Sequence, residues 1–253
     1  MFKRNRLAAG VLAAALALFP AAAFAAGARD AAPAVPAAAQ AEKPIKYVFF
    51  FVGDGLAMPQ IGATEAFAAA LSSTDVGIKK LGFSQFPVTG MATTYDAGSL
   101  ITDSASAGTA FSTGSKTLNG VINMDVSKTK TFKTIAEYAK ESGRKVGVVS
   151  SVSLDHATPA AMYAKVPSRG NMYDIAVQLG KSGFDYFGGG GLAQPTGKNK
   201  DQPDAVEMAK AAGYRYVNSR TDFEALKGGA GKVIAVNARS EEHTSELQSP
   251  NTI

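Results

Sequence analysis

The chain has 253 residues, which is enough for one enzyme-sized domain or two smaller ones. Its hydrophobic fraction of 46% and charged fraction of 19% are typical of a globular protein and exclude wholesale disorder. The formal net charge of +5 is too small to indicate a nucleic-acid partner. The complete lack of cysteine in the sequence excludes disulfides, thiolate zinc sites and cysteine nucleophiles.

The chain begins with the three parts of a secretory signal peptide, over residues 1–25. Basic residues among the first six precede an apolar run over 7–19, and residues 23–25 read Ala-Phe-Ala, a small-x-small cleavage site. An uncleaved anchor is the alternative interpretation, although the apolar run is short for a bilayer span. We therefore expect a periplasmic or secreted protein with no stable membrane span once the signal is cleaved.

Two further segments are not expected to join the core. Residues 26–44 are rich in alanine and proline, a composition that predicts a semi-extended linker. Residues 239–253 are polar and lack periodicity, and 239–249 resemble the in-frame translation of a sequencing-library adapter. We therefore expect a non-native tail after Ala238, in a gene whose natural product continues with other residues. An ordinary disordered C-terminus is the alternative, and resequencing the locus distinguishes the two.

Between these ends, residues 45–238 alternate strand-like and helix-like stretches, the pattern of an α/β domain with a mostly parallel central sheet. The continuous apolar run over 47–52 is typical of a strand that is buried on both faces. The predicted elements in chain order are a buried strand over 47–52, a helix over 59–71, a strand over 91–95, helices over 104–112 and 132–140, a buried strand over 145–151, a helix over 171–181, and short strands over 186–187, 214–217 and 233–236.

Polar side chains follow three of the predicted strands. Asp54 comes directly after the first strand, Asp103 and Ser104 follow the second, and residues 155–158 follow the strand over 145–151. Functional groups of parallel sheets collect at the carboxyl ends of the strands. The pattern therefore indicates an active site at that edge of the sheet.

The segment 102–110 reads Thr-Asp-Ser-Ala-Ser-Ala-Gly-Thr-Ala, so an acid and a hydroxyl begin a helix of small residues. One interpretation is that Asp103 or Ser104 only caps the helix. The other is a serine nucleophile at a helix N-terminus, where free amide groups and the helix dipole favour an alkoxide and a bound phosphate.

Four motifs occur in a fixed order along the chain: Val-Gly-Asp-Gly at 52–55, Thr-Asp-Ser-Ala at 102–105, Thr-Gly-Ser-Lys-Thr-Leu-Asn-Gly at 113–120, and His-Ala-Thr-Pro-Ala-Ala at 156–161 with Ser168-Arg169 further on. Together they resemble the alkaline phosphatase family. The resemblance covers residues 45–238 and implies a three-layer α/β/α fold that is incomplete at its C-terminal side, with this region as the N-terminal part of the catalytic domain.

The activity that the resemblance implies is metal-dependent hydrolysis of phosphate monoesters through a phosphoserine intermediate. Same-fold phosphodiesterases, sulfatases and phosphomutases are alternatives, as is a non-catalytic homologue that binds phosphate or metal. Arg169 favours monoesters among these substrates, because an arginine matches the unshared oxygens of a terminal phosphate. A homodimer is one option for the full-length protein.

The resemblance also implies roles for individual residues. Ser104 resembles the nucleophile, which also contacts metal, and Asp54 resembles a carboxylate shared between zinc and magnesium. Thr158 resembles a magnesium ligand. Arg169 resembles the guanidinium that grips two phosphate oxygens, and Asp103 is expected to orient it from the side.

The metal content expected from the resemblance is two zinc ions and one magnesium ion. His156 stands where relatives have either aspartate or histidine, and its nitrogen donor favours zinc over magnesium, so the ion beside it is open. The sequence has two histidines, and His243 lies in the suspect tail. One histidine cannot complete a pair of zinc sites, and the resemblance implies that the other ligands come from the C-terminal half of the family's chain, past Ala238. We also expect the chain as written to bind zinc poorly and to hydrolyse little.

Overall fold

A computed structural model describes residues 45–72 and 76–237. The predicted signal peptide, the linker and the tail from residue 239 lie outside the described residues. The chain divides into two compact units, Met1–Val52 and Gly53–Ile253. Of the first unit, residues 45–52 are exposed and form no helix or strand.

The regular elements among the described residues lie in the second unit. Its described part has seven α-helices: α1 Met58–Ala70, α2 Ser104–Thr113, α3 Ile135–Glu141, α4 Ala157–Ala160, α5 Met172–Lys181, α6 Ala205–Ala211 and α7 Arg220–Glu224. It also has four strands: β1 Gly147–Val149, β2 Tyr186–Gly189, β3 Tyr214–Val217 and β4 Lys232–Val236. No helix among these is long and apolar enough to cross a bilayer.

The four strands form one sheet in the order β1-β2-β4-β3, and every pairing is parallel. Successive strands are joined through helices, as parallel pairing requires. The predicted α/β fold with a mostly parallel sheet is therefore confirmed.

Alternate residues of the strands enter two hydrophobic clusters. The larger cluster contains Val148, Phe187 and Ile234 from three neighbouring strands, together with Ile175 and Leu179 of α5. The smaller cluster, on the alternate positions, consists of Val217, Val233 and Ala235, with Tyr186 and Leu226 packed against it. One face of the sheet thus forms the main core, as the two-residue side-chain period of a strand allows.

The strands predicted over 47–52 and 91–95 are wrong, since neither segment forms a strand. Apolar and β-branched residues favour a strand only where a neighbouring strand completes its hydrogen bonds, and the described sheet contains β1 to β4 alone. The strand predicted over 145–151 is shorter and is not buried on both faces. β1 is an edge strand in which Val148 is buried and Val149 is 74% exposed.

Candidate active site at the start of α2

The N-terminus of α2 is closed by the side chain of the residue before it. The Asp103 carboxylate accepts a hydrogen bond from the Ser106 amide at 2.9 Å, and it also accepts one from the Ser106 hydroxyl. This contact caps the helix, so the capping interpretation of Asp103 is confirmed. Ser104 is the first helical residue and is half-buried, beside amide groups that the helix itself leaves without partners.

Arg169 reaches the same place from a distant part of the chain. Its Nη1 donates to Asp103 Oδ2 at 3.1 Å, and its Nη2 lies 3.1 Å from His156 Nε2. Its backbone amide donates to the Gly120 carbonyl at 2.6 Å. The guanidinium is therefore held between the carboxylate of Asp103, the residue before Ser104, and the imidazole of His156.

The environment of Asp103 keeps its carboxyl group ionised. Burial pushes the pKa of Asp103 upward, but hydrogen bonds from Ser106, Gly120 and Arg169 outweigh it and bring the pKa below the usual value. A charged carboxylate orients a guanidinium more strongly than a neutral acid would. The geometry thus agrees with the orienting contact expected between Asp103 and Arg169.

A second contact joins Asp54 to the short helix α4. The Thr158 hydroxyl donates to Asp54 Oδ2 at 3.5 Å, the outer limit of a hydrogen bond. Asp54 is exposed and Thr158 is half-buried. The pair brings together two hard oxygen donors, the kind that magnesium prefers. Because His156 directly precedes α4, the two contacts lie at one end of the same short helix.

The neighbour of His156 faces elsewhere. Asp155 is fully buried, and its carboxylate accepts hydrogen bonds from the amides of Ala193 and Gln194 at 2.8–3.1 Å. It therefore anchors the loop after β2 and does not contribute to the pair of contacts described above. Asp155 and His156 are therefore not interchangeable at the site.

The described residues fit a magnesium ion better than a pair of zinc ions. Asp54 and Thr158 place two oxygen atoms side by side, and oxygen is the donor type that magnesium prefers. Zinc sites need several nitrogen, sulfur or carboxylate ligands, and within residues 45–72 and 76–237 no three His, Cys, Asp or Glu side chains gather around one point. His156 Nε2 is directed at Arg169.

Sequence reasoning missed the residues that support this arrangement. Asn119 accepts a hydrogen bond from the Asp103 amide at 2.7 Å, and the Gly120 amide donates to Asp103 Oδ2 at 3.1 Å. The buried Asp96 accepts from the Asn119 amide at 2.9 Å. The Asn-Gly pair, a frequent turn sequence, was the available signal.

Two open grooves on the sheet are lined by other residues. One contains Val149, Tyr186 and Phe223, and the other contains Lys145, Tyr186 and Leu226. None of the candidate site residues lines either groove. The candidate site at the α2 N-terminus therefore lies outside both grooves.

Comparison with known proteins supports the same region. A family model described as alkaline phosphatase matches residues 45–188, which is more than half of the chain. Alkaline phosphatase 4 of Bacillus subtilis is 36% identical over 197 residues, covering 74% of this chain and 41% of that protein. Alkaline phosphatase of Escherichia coli is 31% identical over 214 residues, covering 73% of this chain and 44% of that protein.

Solved structures of alkaline phosphatases have a similar backbone. A cold-active alkaline phosphatase from a psychrophilic Shewanella gives a TM-score of 0.63 at 30% identity, over 73% of this chain and 44% of that one. A histidine-to-aspartate mutant of the TAB5 alkaline phosphatase, with Mg bound in its M3 site, gives 0.59 at 30% identity, over 70% of this chain and 50% of that one.

The chain spans between a quarter and just under half of the length of curated alkaline phosphatases that it matches. The family model covers the segment that carries Asp54, Ser104 and Arg169. On this evidence the chain belongs to the alkaline phosphatase family.

Proposed function

We propose that this chain contributes the nucleophile and the phosphate grip of an exported, metal-dependent phosphate monoester hydrolase. The observation that carries the proposal is the ion pair of Arg169 with Asp103, directly before Ser104 at the start of α2. A phosphate placed at this helix N-terminus would meet a guanidinium fork, free amide groups and a serine hydroxyl together. A pure binding site would have no need of the serine.

In the first step, the Ser104 oxygen attacks phosphorus, and the bond from phosphorus to the ester oxygen breaks. The serine proton is lost to solvent or base, and the alcohol leaves with a proton from water. Arg169 pairs with two phosphate oxygens and keeps the ester aligned for in-line displacement. Water then attacks the phosphoserine, releasing inorganic phosphate and restoring the serine.

Asp54 and Thr158 would hold a magnesium ion, which would supply positive charge and ordered water when bound. Mg bound in the M3 site of the TAB5 mutant, in which a histidine is changed to aspartate, supports a metal site of this kind in the family. The two expected zinc ions need more ligands than the described residues gather, so no step is assigned to them. Further ligands are proposed to come from the part of the relatives' length that this chain does not cover.

The test is to trap the covalent intermediate in the protein expressed from its genomic locus, supplied with zinc and magnesium. The protein is mixed with a phosphate monoester at acidic pH, quenched and digested, and the peptide containing Ser104 is weighed by mass spectrometry. We expect one phosphoryl group on Ser104, none in Ser104→Ala, and an unchanged adduct in the control Ser115→Ala, whose hydroxyl lies outside these contacts.

Two results would contradict the proposal. One is a metal-loaded protein that turns over monoesters without any adduct on Ser104. The other is a preference for diesters over monoesters in steady-state kinetics, which would favour the phosphodiesterase alternative because Arg169 matches unshared oxygens. The chain as written is expected to show little turnover in either assay.

A further inference from the structure

The motif at 113–120 has no chemical role in the proposed function, although it is as distinctive as the others. Its last three residues form a turn that we call the 118–120 turn, closed by a hydrogen bond from the Val121 amide to the Leu118 carbonyl at 3.1 Å. Gly120 has a φ of 80°, in the left-handed region that glycine adopts without strain.

The turn touches both members of the ion pair at the site. The Gly120 amide donates to Asp103 Oδ2 at 3.1 Å, and the Gly120 carbonyl accepts from the backbone amide of Arg169 at 2.6 Å. One residue of the turn therefore sits between the carboxylate and the main chain of the arginine. A displacement of Gly120 would change the position of both partners.

The side chain of Asn119 ties the turn to the start of α2. Its Oδ1 accepts from the Asp103 amide at 2.7 Å and from the Ser106 hydroxyl at 2.9 Å. Its Nδ2 donates to the Ile101 carbonyl at 2.9 Å. These contacts flank Ser104 on both sides along the chain, so Asn119 constrains the backbone that presents the hydroxyl.

A buried carboxylate holds the turn from the other side. Asp96 is only 6% exposed and accepts hydrogen bonds from the amides of Gly98, Ser99 and Asn119. The Ala97 amide adds a bond to the Thr117 carbonyl at 2.9 Å. A buried carboxylate with several donors is a rigid anchor, because moving it would leave charge without partners.

We propose that Asn119 is a positioning residue, which acts through the 118–120 turn to fix Arg169 and Asp103 in the geometry that receives phosphate. The proposal rests on the proposed function for the meaning of that geometry, but it concerns only how Arg169 and Asp103 are positioned. A merely structural role for Asn119 would predict a less stable protein in which the folded Arg169 guanidinium is unchanged.

The experiment measures the Arg169 guanidinium directly by ¹⁵N NMR of this chain, with its signal assigned by its loss in Arg169→Lys. In the wild type we expect slow exchange of the guanidinium protons with water. Asn119→Ala, at an exposed position, is expected to remain folded and to accelerate that exchange about tenfold, the equivalent of losing one hydrogen bond to the site. Asn218→Ala, an exposed asparagine at the end of β3, is the matched control and should leave the signal unchanged.

Thermal unfolding of each variant is recorded beside the spectra. A lower melting temperature with an unchanged Arg169 signal in Asn119→Ala would overturn the proposal. If Asn119→Ala does not fold, Asp96→Asn is read in the same way, since it weakens the anchor of the turn and leaves the Asn119 side chain in place. Failure of the phosphoserine experiment would not alter this NMR result, so the two proposals fail separately.

Discussion

Gly108 and Ala161 lie so close that a β-carbon on Gly108 would come within 2.6 Å of the Ala161 β-carbon. Gly108 is in the middle of α2, and Ala161 directly follows α4. The helix that carries Ser104 and the short helix that carries Thr158 therefore pack at a distance that only a glycine permits. The spacing of the candidate site depends on this contact.

Replacing Gly108 with alanine is expected to destabilise the fold by about 1–3 kcal/mol through overpacking, despite the better helix propensity of alanine. The matched control is Gly62→Ala in α1, where an added β-carbon meets nothing within 4 Å. That variant should gain roughly 0.5–1 kcal/mol. Urea unfolding of the two proteins measures the difference, and equal stability of the two variants would show that α2 and α4 pack more loosely.

A buried amide is expected to hold the same two helices together. Asn123 is fully buried, its Nδ2 donates to the carbonyls of Ala161 and Ala164 at 2.8 Å, and its Oδ1 accepts from the Ser112 hydroxyl at 3.1 Å. Asn123→Ala should cost about 2–4 kcal/mol, because both carbonyls lose their donor. Guanidinium unfolding checks this, with the exposed Asn218→Ala expected to stay within about 0.5 kcal/mol of the wild type.

How much of this arrangement follows from the sequence depends on the range of the interaction. The helix at Ser104 and the strand Tyr214–Val217 were predicted at or near their observed bounds, since caps, glycines and periodicity act locally. The strands predicted over 47–52 and 91–95 are not observed, because pairing partners decide whether an apolar run becomes a strand.

At the candidate site, too, local features could be predicted from the sequence and long-range contacts could not. The cap formed by Asp103 is readable from its position before small residues. The contact of Arg169 with Asp103 joins residues 66 positions apart and was expected only from the family resemblance. The bonds of Asn119 and Gly120 to Asp103 were not foreseen at all, because a turn sequence reports its own conformation and not its tertiary neighbours.

Acid titration provides a prediction on an exposed loop. Hydrogen bonds from the Lys130 amide and the Ser127 hydroxyl, aided by the Thr129 amide, lower the pKa of Asp125 from 3.8 to about 2. A carboxyl group with a lowered folded pKa stabilises the fold above its unfolded pKa, and this contribution disappears as the pH falls from about 4 to about 2. Carbon-13 NMR should find the Asp125 midpoint near 2, and Asp125→Asn should flatten the pH dependence of stability in that window. A midpoint near 3.8 would contradict the loop geometry.

The edge strand β1 makes a prediction about association. Val149 is 74% exposed on one face of β1, whereas Val148 on the other face is 7% exposed and packs in the main core. Val149→Lys should slow aggregation and change the free energy of unfolding by less than about 0.5 kcal/mol, because a lysine on an edge strand opposes pairing with another chain.

Val148→Lys is the matched control for this experiment. It places a charge in the core and should prevent folding. Light scattering during incubation measures the aggregation, and circular dichroism measures the fold. An unchanged aggregation rate in Val149→Lys would show that the exposed edge of β1 is not where the chains associate.

The strand order has a consequence for synthesis on the ribosome. β4 is the last of the four described strands to be made, yet it lies between β2 and β3 and pairs with each of them. In a nascent chain that has emerged only as far as Val217, β3 has no neighbouring strand to pair with. The described sheet is completed only when residues 232–236 emerge. Until then the edge of β2 that pairs with β4 is exposed and is a target for chaperones.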